Sequence, residues 1–259
     1  MPVTTHGDAD LYYEVHGPAQ ARCTVVLLHG VGGNHASWYH QLAAWRERFR
    51  LIVPDARGFG NSSDPQGLGR DGFLSDLECV LEAEQVERCV LVGQSMGGGT
   101  AIDYACKHPD RVAALVLADT LFGIALPPGL DAEMAAVAQR TAGYSQQERV
   151  LGSSFRARNP AASLLYTALA SFNSVNVRTL QGRQREHGLQ ALAALALPIL
   201  FLVGQEDLLF PPDLVRRVHE GVAGSRFVEL PKTGHSAYFE APEAFNRAVE
   251  YWLEGVAAV

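Results

Sequence analysis

Short apolar runs rich in β-branched residues recur along this chain, at 23–28, 51–53, 89–92, 112–117, 199–203 and 226–230. Runs this short, with no polar alternation, fill a sheet that is buried on both faces. Between most of them lie stretches with helical spacing, at 35–48, 73–84, 96–108, 212–222 and 242–253. Strands alternating with helices imply βαβ units and a mainly parallel sheet, which is an α/β fold class. Ahead of the series, residues 10–16 mix aromatic and branched side chains before Gly17-Pro18, which suggests a strand in an opening hairpin.

The alternation breaks once. Residues 121–195 read only as helix-like, Ala- and Leu-rich stretches, punctuated by Pro127-Pro128, Asn159-Pro160 and Gly188. An insertion of that size between two strands of one sheet is expected to form a helical cap. The chain then divides into core residues 1–120, a cap at 121–195 and core residues 196–259. The cap holds seven arginines and four acidic residues, a local balance of +3 in a chain whose formal charge is -7. Such a lid would draw an anionic substrate, although each arginine taken singly reads more readily as part of a solvated helix face. Phe122, Leu126, Tyr144, Phe155, Tyr166 and Phe172 are candidates to line an apolar pocket where cap meets core, or to form the cap's own small core.

Gly93-Gln94-Ser95-Met96-Gly97 follows one of the strand-like runs and opens a helical stretch. A serine at such a strand–turn–helix junction is held in a strained backbone conformation with its hydroxyl exposed, and small flanking residues are needed to avoid clashes. Ser95 is therefore the candidate nucleophile. A serine hydroxyl needs a base at neutral pH, and His235, just after the last strand-like run, is the best placed of nine histidines. The base needs a carboxylate to fix its tautomer. Asp207, after the run at 199–203, is preferred; Asp119, after the run at 112–117, is the rival, and Glu206 is expected to point elsewhere. Attack on a carbonyl creates an oxyanion that backbone N–H groups must hold. Met96 should supply one. The loop His29-Gly30-Val31-Gly32-Gly33 should supply the other, from Val31 or else Gly32, with His29 shaping the loop.

A net negative charge without clustered Lys and Arg argues against nucleic acid as a partner. No run is long enough to span a bilayer, and no basic-then-apolar leader is visible at the N-terminus. Cys23, Cys79, Cys89 and Cys106 show no metal-ligand or redox spacing and read as buried, reduced core residues. These features point to a cytoplasmic protein that needs no cofactor and no metal, acting on a small molecule; whether it forms a homo-oligomer is left open.

The combination resembles the serine branch of the α/β-hydrolase fold superfamily, over essentially the whole chain from Leu11 to Leu253. The residues that carry the resemblance are Leu27-Leu28-His29-Gly30, the segment from Pro54-Asp55-Ala56-Arg57 to Ser62, Gly93-Gln94-Ser95-Met96-Gly97-Gly98, Gly204-Gln205-Glu206-Asp207 and Gly234-His235. The resemblance implies an eight-stranded, mainly parallel sheet flanked by helices with the cap after strand 6. It also implies Asp55 and Arg57 as loop braces, and Ser95, Asp207 and His235 in that chain order as a triad. A serine at position 95 disfavours the epoxide hydrolase and haloalkane dehalogenase branches, which use aspartate. The stretch from Gly234-His235 to Pro242-Glu243 is similar to C–C hydrolases of meta-ring-fission products. Those enzymes carry Asn and Trp where this chain has Gln94 and Ser236. The implied function is therefore hydrolysis of a small carboxylic ester or lactone. C–C cleavage is the alternative, and a ligand receptor or perhydrolase on the same fold a third reading.

Overall fold

A computed structural model of the protein describes residues 2–256. The apolar runs become neighbouring strands of one eight-stranded sheet. In chain order these are β1 (Val3–His6), β2 (Ala9–His16), β3 (Thr24–Leu28), β4 (Arg50–Pro54), β5 (Cys89–Gln94), β6 (Val112–Ala118), β9 (Ile199–Gly204) and β10 (Arg226–Leu230). Their spatial order is β1-β2-β4-β3-β5-β6-β9-β10. β1 and β2 form the expected opening hairpin, β2 runs antiparallel to β4, and the remaining pairs are parallel.

Successive side chains of a strand point to opposite faces, and here both faces are covered. Val26, Ile52, Leu91, Leu115 and Phe201 face a core shared with α2 (Phe73–Ala83), α3 (Met96–Lys107) and α9 (Pro212–Glu220). Their strand neighbours Val25, Leu51, Val90, Val116 and Leu200 face a second core with α1 (Tyr39–Trp45) and α11 (Pro242–Glu254). This is the reason the strand sequences are apolar throughout. Phe201 lies fully buried in the first core. Phe201→Ala should cost about 3–5 kcal/mol of stability, read as a lower denaturant midpoint at unchanged slope.

Prolines mark helix starts where the sequence placed them, at Pro212 and Pro242, because an N1 residue has no intrahelical use for its N–H. The expected helix over 35–48 is shorter. Residues His35–Trp38 form a 3₁₀ turn and the α-helix covers only Tyr39–Trp45. Asp55 takes both the His35 amide (2.7 Å) and its ring, and the Asn34 side chain caps the turn at Ala36, so the first turn is fixed in the tighter form.

Between β6 and β9 the chain forms α4 (Pro128–Thr141), α5 (Gln146–Val150), α6 (Ser153–Arg158), α7 (Pro160–Ala170) and α8 (Leu189–Ala194). It is not wholly helical as expected: β7 (Ile124–Ala125) and β8 (His187–Gly188) pair in parallel as a second, two-stranded sheet. A two-residue ladder is too short to show any alternation in sequence. The four cysteines are free, with Cys23 and Cys89 buried and Cys79 and Cys106 partly so. Among the described residues, no helix is long and apolar enough to cross a membrane.

Candidate active site

The chain order of strands reverses at β3, which has β4 on one side and β5 on the other. Ligands of open α/β sheets bind at the carboxyl ends of the strands where such a reversal opens a crevice. The two loops leaving that point are His29–Gly33, after β3, and the turn at Ser95, after β5.

Ser95 has φ 50° and ψ -120°, well inside the region that side chains avoid. Such a conformation costs on the order of 1–3 kcal/mol and persists only where neighbours enforce it. Here the Ser95 N–H donates to Ala118 O at 3.0 Å, while its carbonyl accepts from Gly98 N–H at 2.9 Å and from the Thr120 hydroxyl at 2.7 Å. The flanking glycines are required by contact: a Cβ on Gly93 would sit 2.6 Å from Gly97 O, and one on Gly97 would strike the Leu28 carbonyl. A Cβ on Gly30 would lie 2.8 Å from that of Ser95, which puts the β3 loop beside the serine. Met96 is the first residue of α3, so its N–H has no acceptor within the helix. In the β3 loop, Gly33 N–H closes a turn on Gly30 O at 3.0 Å, with Val31 and Gly32 as its two central residues.

His235 is buried, with its ring against Phe210 at 5.6 Å between centroids. Its Nδ1 lies 2.9 Å from Asp207 Oδ2. A carboxylate there requires the proton on Nδ1 and leaves Nε2 bare as an acceptor. The other Asp207 oxygen accepts from the Leu209 N–H (2.8 Å) and the Phe210 N–H (3.0 Å), which fixes the plane of the carboxylate.

Asp119, the rival acid, is fully buried and bonded to backbone amides. It accepts from Gly204 N–H at 2.8 Å and from Ala237 N–H at 3.0 Å. Burial, followed by the charge of Asp207, pushes its pKa well above the usual carboxylate range. Glu206 turns to the start of α6, accepting from Ser154 N–H at 2.8 Å and the Ser153 hydroxyl at 3.0 Å. His29 accepts from Ala56 N–H through Nε2 and so donates from Nδ1 to Gly30 O at 2.8 Å, which braces the loop. Burial lowers its pKa, in keeping with a neutral ring. Arg57 grips Asp76 through two guanidinium nitrogens (2.8 and 2.6 Å), and Asp55 takes the amides of His35 and Asn61.

Three features had no sequence signal. Gln94 donates through Nε2 to His235 O at 2.8 Å, so the residue before the serine is bonded to the candidate base. Glu240 accepts from the N–H groups of Gly234, Ser236 and Gly152. Tyr166, from α7, accepts from the Ser236 hydroxyl at 3.0 Å, and a Cβ on Gly32 would meet its phenol oxygen at 2.8 Å.

The six candidate pocket residues separate. Phe155 and Tyr166 are buried and pack edge-on against Phe239. Phe122 packs on Phe210 at 5.3 Å, and Leu126 is partly buried against the core of the α3 face. Tyr144 and Phe172 are 48% and 72% exposed. Five of the segment's arginines (Arg140, Arg158, Arg178, Arg183 and Arg185) are solvent-exposed.

A parallel sheet that presents a positive-φ serine at its switch point, and delivers an Asp–His pair from two later strand ends, has the architecture of an α/β hydrolase. Residues 24–158 match the family model described as the alpha/beta hydrolase fold. The chain belongs to this family, and it is a hydrolase of that fold. It is similar to a putative carbamate hydrolase RutD of Caulobacter sp. (strain K31), with 30% identity covering 96% of this chain and 97% of that protein. It is also similar to the pimeloyl-(acyl-carrier protein) methyl ester esterase of Pectobacterium carotovorum subsp. carotovorum (strain PC1), with 31% identity covering 93% and 97%. A solved structure of a thermophilic esterase from Thermogutta terrifontis matches with a TM-score of 0.81 and 29% identity, covering 98% of this chain and 96% of that one.

Proposed function

We propose that this hydrolase cleaves a small carboxylic ester or lactone through an acyl-enzyme, with Ser95 as nucleophile, His235 as general base and acid, and Asp207 orienting the imidazole. The observation that carries the reading is the Gln94–His235 bond. It ties the loop of an Asp-bonded histidine to the residue next to a serine already turned out of the strand. His235 Nε2 takes the hydroxyl proton as Ser95 attacks, the Met96 and Val31 N–H groups receive the oxyanion, and His235 then protonates the leaving alkoxide. Water activated by the same imidazole releases the acid. In this reading residues 121–195 act as a cap over the two-part core, and Phe122 and Tyr166 bound the acyl site. The ester and carbamate chemistry in the names of the relatives also supports attack on a carbonyl.

C–C hydrolysis is the weaker reading because the Gln94 amide, which would have to polarise a dienoate, is already given to the His235 carbonyl. The test is turnover of short p-nitrophenyl esters together with covalent labelling by a fluorophosphonate. Hydrolysis with one label per chain, located by peptide mass on Ser95, is the expected outcome. A label on another residue, or turnover that survives full labelling, refutes the assignment.

A further inference from the structure

Glu240 is a carboxylate in an apolar stretch, in α10 (Ala237–Glu240), and it is nearly as buried as the residues around it. Its contacts are backbone amides. Oε2 accepts from Gly234 N–H at 2.9 Å and from Gly152 N–H at 3.0 Å, and Oε1 accepts from Ser236 N–H at 3.1 Å. Gly234 and Ser236 are the two residues on either side of His235. Gly152 lies between α5 and α6, in the segment inserted between β6 and β9. One side chain therefore holds both flanks of the candidate base and fastens them to that segment.

An ordinary structural role would be met by a neutral acceptor or by a cation-paired acid. Here burial pushes the Glu240 pKa up to about 7, against the pull of the three amides, so the site tolerates an anion at a cost. The ionisable groups facing it are Asp207 and Asp119 from the ends of β9 and β6, Glu206 across Gly152, and Tyr166 from α7. Each of these is acidic.

We infer that Glu240 is a positioning residue for His235: its carboxylate clamps the base's loop to the segment between β6 and β9. The inference rests on the proposed role of His235. Ester turnover requires a base aligned to a fraction of an ångström, and loosening of the loop should cost roughly ten- to a hundredfold in kcat.

The experiment uses the full chain carrying Glu240→Gln or Glu240→Asp. One readout is kcat and KM for p-nitrophenyl acetate. The other is the NMR signal of the histidine ring carbons without substrate, which reports the placement of the ring, with the His235 signal assigned by its loss in His235→Asn. In Glu240→Gln, kcat should fall at least about tenfold with KM changed less than about twofold, and the His235 ring signal should shift or broaden. An unchanged kcat, or a fall in kcat with an unmoved His235 ring signal, overturns the inference. Should Glu240→Gln fail to fold, Glu240→Asp decides. It keeps the charge one methylene short of the same amides, so reduced kcat with a moved ring signal supports the clamp, and unchanged kcat overturns it. A moved His235 ring signal in a protein that hydrolyses no ester would leave the clamp standing and remove the esterase reading instead.

Discussion

Ser95→Ala is expected to reduce ester turnover by on the order of 10⁴- to 10⁶-fold, to a level set by binding and the oxyanion donors alone. The loss should fall on kcat, because the alanine leaves the pocket and the backbone donors in place. The fold should survive. The backbone N and O of Ser95 bond Ala118, Gly98 and Thr120, and a Cβ remains at the φ 50° position. Circular dichroism and a melting temperature near the wild-type value would establish that the lost rate is chemical. A folded Ser95→Ala protein that turned over p-nitrophenyl esters within tenfold of wild type would refute the covalent mechanism.

Two buried aspartates at neighbouring strand ends allow an equally sharp second test. Asp207→Asn should lower kcat by about 10³- to 10⁴-fold, and Asp119→Asn by far less. In the first variant the amide oxygen still meets the Leu209 and Phe210 N–H groups, which leaves an NH₂ facing His235 Nδ1. The ring answers by taking its proton on Nε2, and a protonated Nε2 cannot accept from Ser95. In the second variant the imidazole keeps its partner. One of the two amides, of Gly204 or Ala237, loses its acceptor, which costs about 1–3 kcal/mol of stability. The sign of the pH effect follows from the raised pKa of Asp119. A carboxyl held protonated by folding contributes stability that is present at low pH and lost as pH rises from the ordinary carboxylate range through its folded-state value. The stability gap between wild type and Asp119→Asn should therefore narrow from pH 5 to pH 8 in chemical denaturation. The opposite ranking of the two variants in kcat would transfer the orienting role to Asp119.

The parts that could be read from sequence are those whose causes are local. The strand runs are apolar throughout because both sheet faces are covered, and Gly93 and Gly97 are imposed by backbone approach within a few residues of Ser95. The placement of Asp207 and His235 after two late strands was legible because parallel strands deliver their loops to one edge. The bonds around the candidate base were not legible. Gln94 reaches His235 O across 141 residues, and Asp119 reaches Ala237 N–H across 118. Side chain to amide contacts of that kind leave no spacing in the chain. The same holds for the inserted segment: nothing in sequence separates Phe155 and Tyr166, which are buried, from Tyr144 and Phe172, which face water.

The sheet order carries a further consequence, for how the protein comes into being during synthesis. A chain emerging N-terminus first completes β5, Ser95 and α3 before residue 110, and it can also form the β3 loop that carries Val31. β9 and β10 join the sheet next to β6 only after residue 198, and Ala237 reaches Asp119 later still. Until then the serine has no imidazole, and the buried Asp119 has neither of the two amides that hold it. Under the proposed assignment a nascent or C-terminally cut chain is chemically silent, and the capacity to hydrolyse arrives with docking of the chain from Ile199 onward.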